Sequence, residues 1–336
     1  MNKDLVTIDI DESKHISFIM FTPDALLQNA HLTIINDLNL SILLFKFVNI
    51  SRTKAEQVYQ KELITNNITS WWIKDKIFTK GLCCVLLVKG NFPAEYNSLC
   101  EYLLTRKGKS DPLLRDAGTI RDMYRVSNKS FGFMHSSDDI NNAIYEASVF
   151  FTMDEIKKAL FSKNSEHHLE VYSNCLKEES IFLSYYHVIY RIKEILLKEF
   201  KHTFPEFYTE HTTLFHLILD IYSEAKDITK RKLSFYEERI LISRLLSKER
   251  EILEKVLLDK LVHDDLIIMM NDLSSCITHM RKDALILLLD LLSNEKKYSE
   301  LDFDLLKKLL NRIPIYLDPW DELLLESSLF FYEILE

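Results

Sequence analysis

A histidine serves as nucleophile or general acid/base when one ring nitrogen keeps its lone pair and a partner fixes the tautomer through the other. The stretch FGFMHSSDDINNAIYEA (131–147) has the makings of such a pair. His135 falls at the end of an apolar segment, and Glu146 follows eleven residues later in a run with helical spacing. A strand end places an imidazole at the mouth of a sheet, and the next helix returns a carboxylate to orient the ring and stabilise its cationic form. Taken alone, His135 reads first as a buried strand-end residue with no chemistry.

The elements that must position this pair follow from periodicity. HISFIMF (15–21), LSILLFKFVNI (40–50) and GLCCVLLVKG (81–90) are apolar and partly β-branched, and SFGFMHSS (130–137) is a shorter run of the same kind; these read as strands. Helical spacing marks 23–38, 51–63, 92–107 and 138–151, with Ser51 as an N-cap. The alternating order predicts an α+β sandwich, helices packed on an antiparallel or mixed sheet. All five glycines precede residue 133. The rest of the chain, including 169–200, 234–262 and 283–297, places apolar residues at helical spacing and reads as all-α. Glycine usage and periodicity together predict two domains, 1–152 and 153–336.

With 336 residues, 47% hydrophobic and 28% charged, the chain has a globular composition. A net charge of −9 disfavours nucleic acid as a partner, and no run of about 18 apolar residues marks a membrane span. Five cysteines without a CxxC pair and an acidic start, MNKDLVTIDIDESKH, favour a reducing cytoplasm over secretion. No His/Asp/Cys set has metal-ligand spacing: His263-Asp264-Asp265 reads as a solvated helix end, as do His167-His168, His211 and His216. The basic run 226–232 reads as a solvated helix connection.

Order and spacing of the motifs in the first region bring a family into view. TPDALL (22–27), Gly108-Lys109-Ser110-Asp111-Pro112, Gly118-Thr119-Ile120-Arg121, Gly132-Phe133-Met134-His135-Ser136-Ser137-Asp138 and Ala143-Ile144-Tyr145-Glu146 follow one another as in the nucleoside diphosphate kinase family. Residues 15–155 resemble that family. The resemblance implies a ferredoxin-like α+β sandwich and ping-pong phosphoryl transfer through a phosphohistidine, with Mg²⁺ bridging the phosphates of a nucleoside triphosphate. It assigns His135 as the nucleophile, Glu146 as its carboxylate and Arg121 as the charge-stabilising arginine. Tyr59, Ser110, Thr119 and Ser137 match nucleotide-binding positions, with Arg106 near a second phosphate-binding arginine whose own position is Leu104. Trp71 and Trp72 lie near the place where the family stacks an aromatic ring on the base. A closed homo-oligomer and a second small-molecule or protein acceptor are also implied.

The departures bear on activity. The family's phosphate-binding lysine is Thr22 here, and the asparagine three residues before the nucleophile is Gly132. A preorganised donor is worth about 3–4 kcal/mol in a transition state, so losing two of them bears directly on rate. Two functions are therefore expected. One is a divergent transferase acting through His135, with the helical domain as acceptor site, lid or partner surface. The other is a catalytically degenerate nucleotide sensor or interaction protein on the same fold.

Overall fold

A computed structural model describes residues 10–60, 63, 70–161, 172, 183–231, 233–257, 281–294, 297–298, 302–313 and 315–332. The four apolar runs become strands β1 (Ile16–Phe21), β2 (Ser41–Val48), β3 (Cys83–Lys89) and β4 (Met134–Ser136). They form one antiparallel sheet in the order β2-β3-β1-β4. All six residues of β1 are buried, which is why its sequence is apolar throughout rather than alternating. β1 pairs Phe18 with Leu87 of β3 on one side and Met20 with His135 of β4 on the other.

One face of the sheet, with Ile16, Phe18, Met20, Val85 and Leu87, packs against Ala143 and Ala147 of the helix Ile140–Ser148 and against Val58, Tyr59, Trp71 and Phe78. Ile156 and Ala159 of the helix Met153–Phe161 enter the same core. On the opposite face Phe21 meets His31 of the helix Ala30–Asp37. The fold is the expected ferredoxin-like α+β sandwich, followed by a helical region.

Three elements differ in length from their sequence patterns. The run 23–38 is two helices, Pro23–Leu27 and Ala30–Asp37, because Asn29 between them adopts φ 52°, a left-handed conformation that asparagine tolerates. The helix expected from residue 92 begins at Leu99, where Ser98 caps it by accepting a hydrogen bond from Glu101 N at 3.2 Å. The last strand shrinks to three residues, since Phe133 just before it has φ 61°.

The chain divides into two compact units, 1–182 and 183–336, so the helix Met153–Phe161 lies in the unit that holds the sheet. In the second unit the described residues form helices Tyr185–Thr203, Pro205–Glu210, Thr212–Lys230, Phe235–Leu257, Arg281–Ser293, Phe303–Leu310 and Pro319–Phe330, with no strand among the described residues. Pro205 and Pro319 occupy first-turn positions, where a missing N–H costs nothing. At the centre of this unit Lys193 Nζ donates to Glu249 Oε2 at 2.7 Å with both side chains fully buried. Glu249 Oε1 also accepts from Tyr222 and Ser293.

Candidate functional site

His135 sits in the middle of β4 with 8% of its surface exposed. Its Nε2 lies 2.8 Å from Glu146 Oε2, and the Ser137 hydroxyl donates to the same oxygen at 2.5 Å. A carboxylate only accepts, so Nε2 carries the proton and Nδ1 the lone pair. Glu146 is delivered by the helix Ile140–Ser148, whose start is fixed by Asp139 accepting from Asn142 N at 2.9 Å. The Tyr59 ring stands edge-on to the imidazole at 4.9 Å. Together these contacts fix the ring plane and its tautomer.

Two arginines shape the loops beside the histidine. Arg121 donates through Nη1 to Gly108 O at 2.9 Å, through Nε to Gly132 O at 3.0 Å and through Nη2 to Met134 O at 3.3 Å. It thereby ties the end of the helix Leu99–Lys107 to β4. Arg115 donates to the carbonyls of Lys109, Ser110, Arg121 and Val126. Burial, with Arg121 close by, pushes its guanidinium down to about 9. Gly108 is required where it stands: φ is +81°, and a Cβ there would lie 2.4 Å from Thr119 Oγ1. Beneath these loops the buried Asp24 carboxylate accepts from Phe133 N at 3.3 Å. Burial raises its pKa to about 6, offset in part by Thr22, the Phe133 amide and Arg121.

A cavity of about 360 Å³ opens on His135. Its walls include Thr22, Tyr59, Ser110, Arg121, Ser130, Gly132 and Met134, with Ile77 and Phe78 as an apolar side. Lys74, Lys107 and Lys129 also line it, and no aspartate or glutamate does among the described residues. Nothing in the short motifs singles out these three lysines or Arg115. Lysine is common on surfaces, and only the fold brings these positions together.

The structure brings His135, Tyr59, Ser110 and Arg121 to the cavity, with Glu146 and Ser137 behind the imidazole. The remaining sequence candidates lie elsewhere. Thr119 precedes the helical turn Ile120–Met123 without a side-chain cap, its hydroxyl donating to Asp116 O, and packs on Gly108. Arg106 is on the helix Leu99–Lys107, but its neighbour Lys107 is the residue that lines the cavity. Trp71 is buried in the core against Tyr59, and Trp72 is covered by Lys76 at 4.7 Å.

Outside the site, Lys226 pairs with Glu194 at 2.5 Å and Lys230 with Asp227 at 3.6 Å, so much of the charge in the basic run is neutralised. His211 and His216 are on or beside the helix Thr212–Lys230, whereas His167-His168 and 263–265 lie outside the described residues. Among the described residues no group of three or more His, Cys, Asp or Glu side chains is placed to hold a metal ion. No described helix is long and apolar enough to cross a membrane.

An antiparallel β2-β3-β1-β4 sheet with a carboxylate-held histidine on its edge strand defines a ferredoxin-like α+β domain built around an anion-sized cavity. The family model for nucleoside diphosphate kinase matches residues 15–156, and that part of the chain is a nucleoside diphosphate kinase-family domain. The nucleoside diphosphate kinase of Saccharolobus solfataricus is 28% identical over 150 residues, spanning 42% of this chain and 96% of the relative. That of Chlorobium limicola is 33% identical over 82 residues, 24% of this chain and 53% of the relative. Among solved structures, the apo nucleoside diphosphate kinase of Encephalitozoon cuniculi is 21% identical with a TM-score of 0.37, covering 44% of this chain and 97% of that one. The Halobacterium salinarum enzyme in complex with CDP is also 21% identical, with a TM-score of 0.35, covering 42% and 90%.

Proposed function

We propose that this protein binds a nucleoside triphosphate in the His135 cavity and transfers its terminal phosphoryl group through a phosphohistidine. The observation that carries the reading is the 2.8 Å contact from His135 Nε2 to Glu146, which leaves the lone pair on Nδ1 of a ring lining a cation-rich cavity. In the first half-reaction the Nδ1 lone pair attacks the γ-phosphorus. The bond from phosphorus to the bridging oxygen breaks, and the nucleoside diphosphate leaves with its electrons. In the second, an acceptor oxygen attacks the same phosphorus and the electrons of the P–N bond return to Nδ1.

Glu146 stabilises the positive ring while the phosphoryl group is attached, and Ser137 holds the carboxylate in place. Arg121 acts as a positioning residue whose charge also faces the cavity. The cavity walls carry no carboxylate among the described residues, so the donor set fits a divalent ion only as part of the incoming nucleotide complex, where Mg²⁺ neutralises phosphate charge. The helical unit would supply an acceptor site, a lid or a partner surface. A cytoplasmic homo-oligomer is the assembly that goes with this reading.

Thr22 and Gly132 favour a second reading, a nucleotide sensor without turnover. The test is incubation of the full chain with γ-labelled ATP or GTP and Mg²⁺. Acid-labile label on the wild type and none on His135→Ala is the expected result. Nucleotide-dependent stabilisation without any label would select the sensor.

A further inference from the structure

Three lysines that no short motif singles out surround the cavity, each delivered by a different element. Lys74 comes from the helix Trp71–Thr79, Lys107 from the last turn of the helix Leu99–Lys107, and Lys129 from the loop before β4. With Arg121 they place four cationic side chains around about 360 Å³, and no acidic side chain lines that space among the described residues. Grouping like charges is unfavourable unless an anion shares the space.

Two further observations point to a ligand. Ser130, adjacent to Lys129, lines the cavity with 4% of its surface exposed, and its hydroxyl has no hydrogen-bond partner among the described residues. A buried hydroxyl in that state offers a hydrogen bond to whatever enters the cavity, a ligand oxygen or water. Lys129 is paired at 2.8 Å with Asp111, whose carboxylate is held below its ordinary range by the Lys129 ammonium and the Leu113 amide despite partial burial. Lys74 lies 4.0 Å over the Tyr59 ring, and Tyr59 itself is edge-on to His135. That aromatic contact holds one ammonium on the histidine side of the cavity.

We propose that Lys74, Lys107 and Lys129, with the Ser130 hydroxyl, form a displaced polyphosphate cradle that does the work Thr22 cannot do. This rests on the nucleotide reading above and names the part of the ligand these residues take: the phosphate chain, independent of the base. Asp111 is then a competing internal anion, holding Lys129 at the rim until a phosphate replaces it.

The test is calorimetric titration of the full chain with inorganic tripolyphosphate and, separately, with ATP. Lys74→Met, Lys107→Met and Lys129→Met are each expected to weaken tripolyphosphate binding roughly tenfold, as for a lost charge-assisted hydrogen bond. Asp111→Asn keeps the acceptor for Leu113 N and is expected to tighten binding severalfold, a direction no loss of structure would give. Circular-dichroism melts check folding, and where a methionine variant does not fold, the glutamine variant and Asp111→Asn decide the outcome. Unchanged tripolyphosphate and ATP binding in all four variants overturns the cradle and leaves the nucleotide reading intact. Lysine-dependent binding of tripolyphosphate without any binding of ATP supports the cradle and overturns the nucleotide reading. Binding of neither ligand overturns both.

Discussion

At the residue scale, the contacts of His135 separate chemistry from scaffolding. His135→Ala is expected to abolish phosphoryl labelling. Glu146→Gln keeps an acceptor for Nε2 but loses the charge, and should slow labelling roughly tenfold to hundredfold, the value of one hydrogen bond to a charged group; rapid-quench labelling measures the ratio. The two loop glycines make an opposed pair. Gly108→Ala meets Thr119 at a positive φ and should cost about 1–3 kcal/mol. A Cβ on Gly132 would lie 3.8 Å from Arg121 Nη2, ordinary contact, so Gly132→Asn should stay within about 0.5 kcal/mol of the wild type; urea denaturation measures both. Asp24 adds a pH dependence. Its pKa is raised to about 6 in the folded protein against an ordinary 3.8, so its contribution is full below 3.8 and is lost as pH rises through 6. The buried His31, lowered to about 4, acts in the opposite direction over the same range. Comparing wild type with Asp24→Asn removes that background: the wild type should gain on the variant between pH 7.5 and 5 by about 1.4 kcal/mol, roughly half of the full shift.

At the element scale, what the sequence reveals depends on whether the signal is local. β1 is legible because both of its faces are buried, and Ser51 because an N-cap acts within three residues: its hydroxyl accepts from Lys54 N. The break at Asn29 and the short β4 are not legible, because left-handed φ values at Asn29 and Phe133 are set by packing rather than by neighbours in sequence. His135, Glu146 and Arg121 could be read from one segment, whereas Lys74, Lys107 and Lys129 are joined only by the fold. The helical unit holds a second non-local set, Lys193, Glu249, Tyr222 and Ser293, drawn from four helices. Helical periodicity treats its lysine and glutamate as surface residues, yet both are fully buried. Lys193→Met leaves the Glu249 charge buried without its cation and should cost about 3–5 kcal/mol in urea denaturation. Adding Glu249→Gln keeps an acceptor for the two hydroxyls and removes the charge, so the double variant should recover part of that loss.

At the scale of the whole molecule, the question is where the first folding unit ends. Glycine usage and the helical pattern put the boundary after residue 152, whereas compactness puts it after 182. The helix Met153–Phe161 lies between these positions, and its composition gives no hint of which side it serves. Its contacts do. Ile156 and Ala159 are buried in the sheet core beside Phe151, and Glu155 receives Lys46 Nζ at 3.0 Å from β2. Further on, Tyr172 stacks on Phe47 at 5.9 Å and meets Phe45 and His31 edge-on. A fragment ending at 152 would expose the apolar surface these residues cover, at about 1.5–3 kcal/mol for each large side chain removed from the core. The half-exposed Lys46–Glu155 pair adds little to that. The fragment 1–182 is therefore expected to unfold cooperatively and to melt well above 1–152, and to retain the nucleotide-dependent shift proposed for the full chain. Thermal denaturation of the two fragments decides the boundary: equal melting temperatures would mean that the helix Met153–Phe161 is an appendage of the sheet domain rather than part of its core.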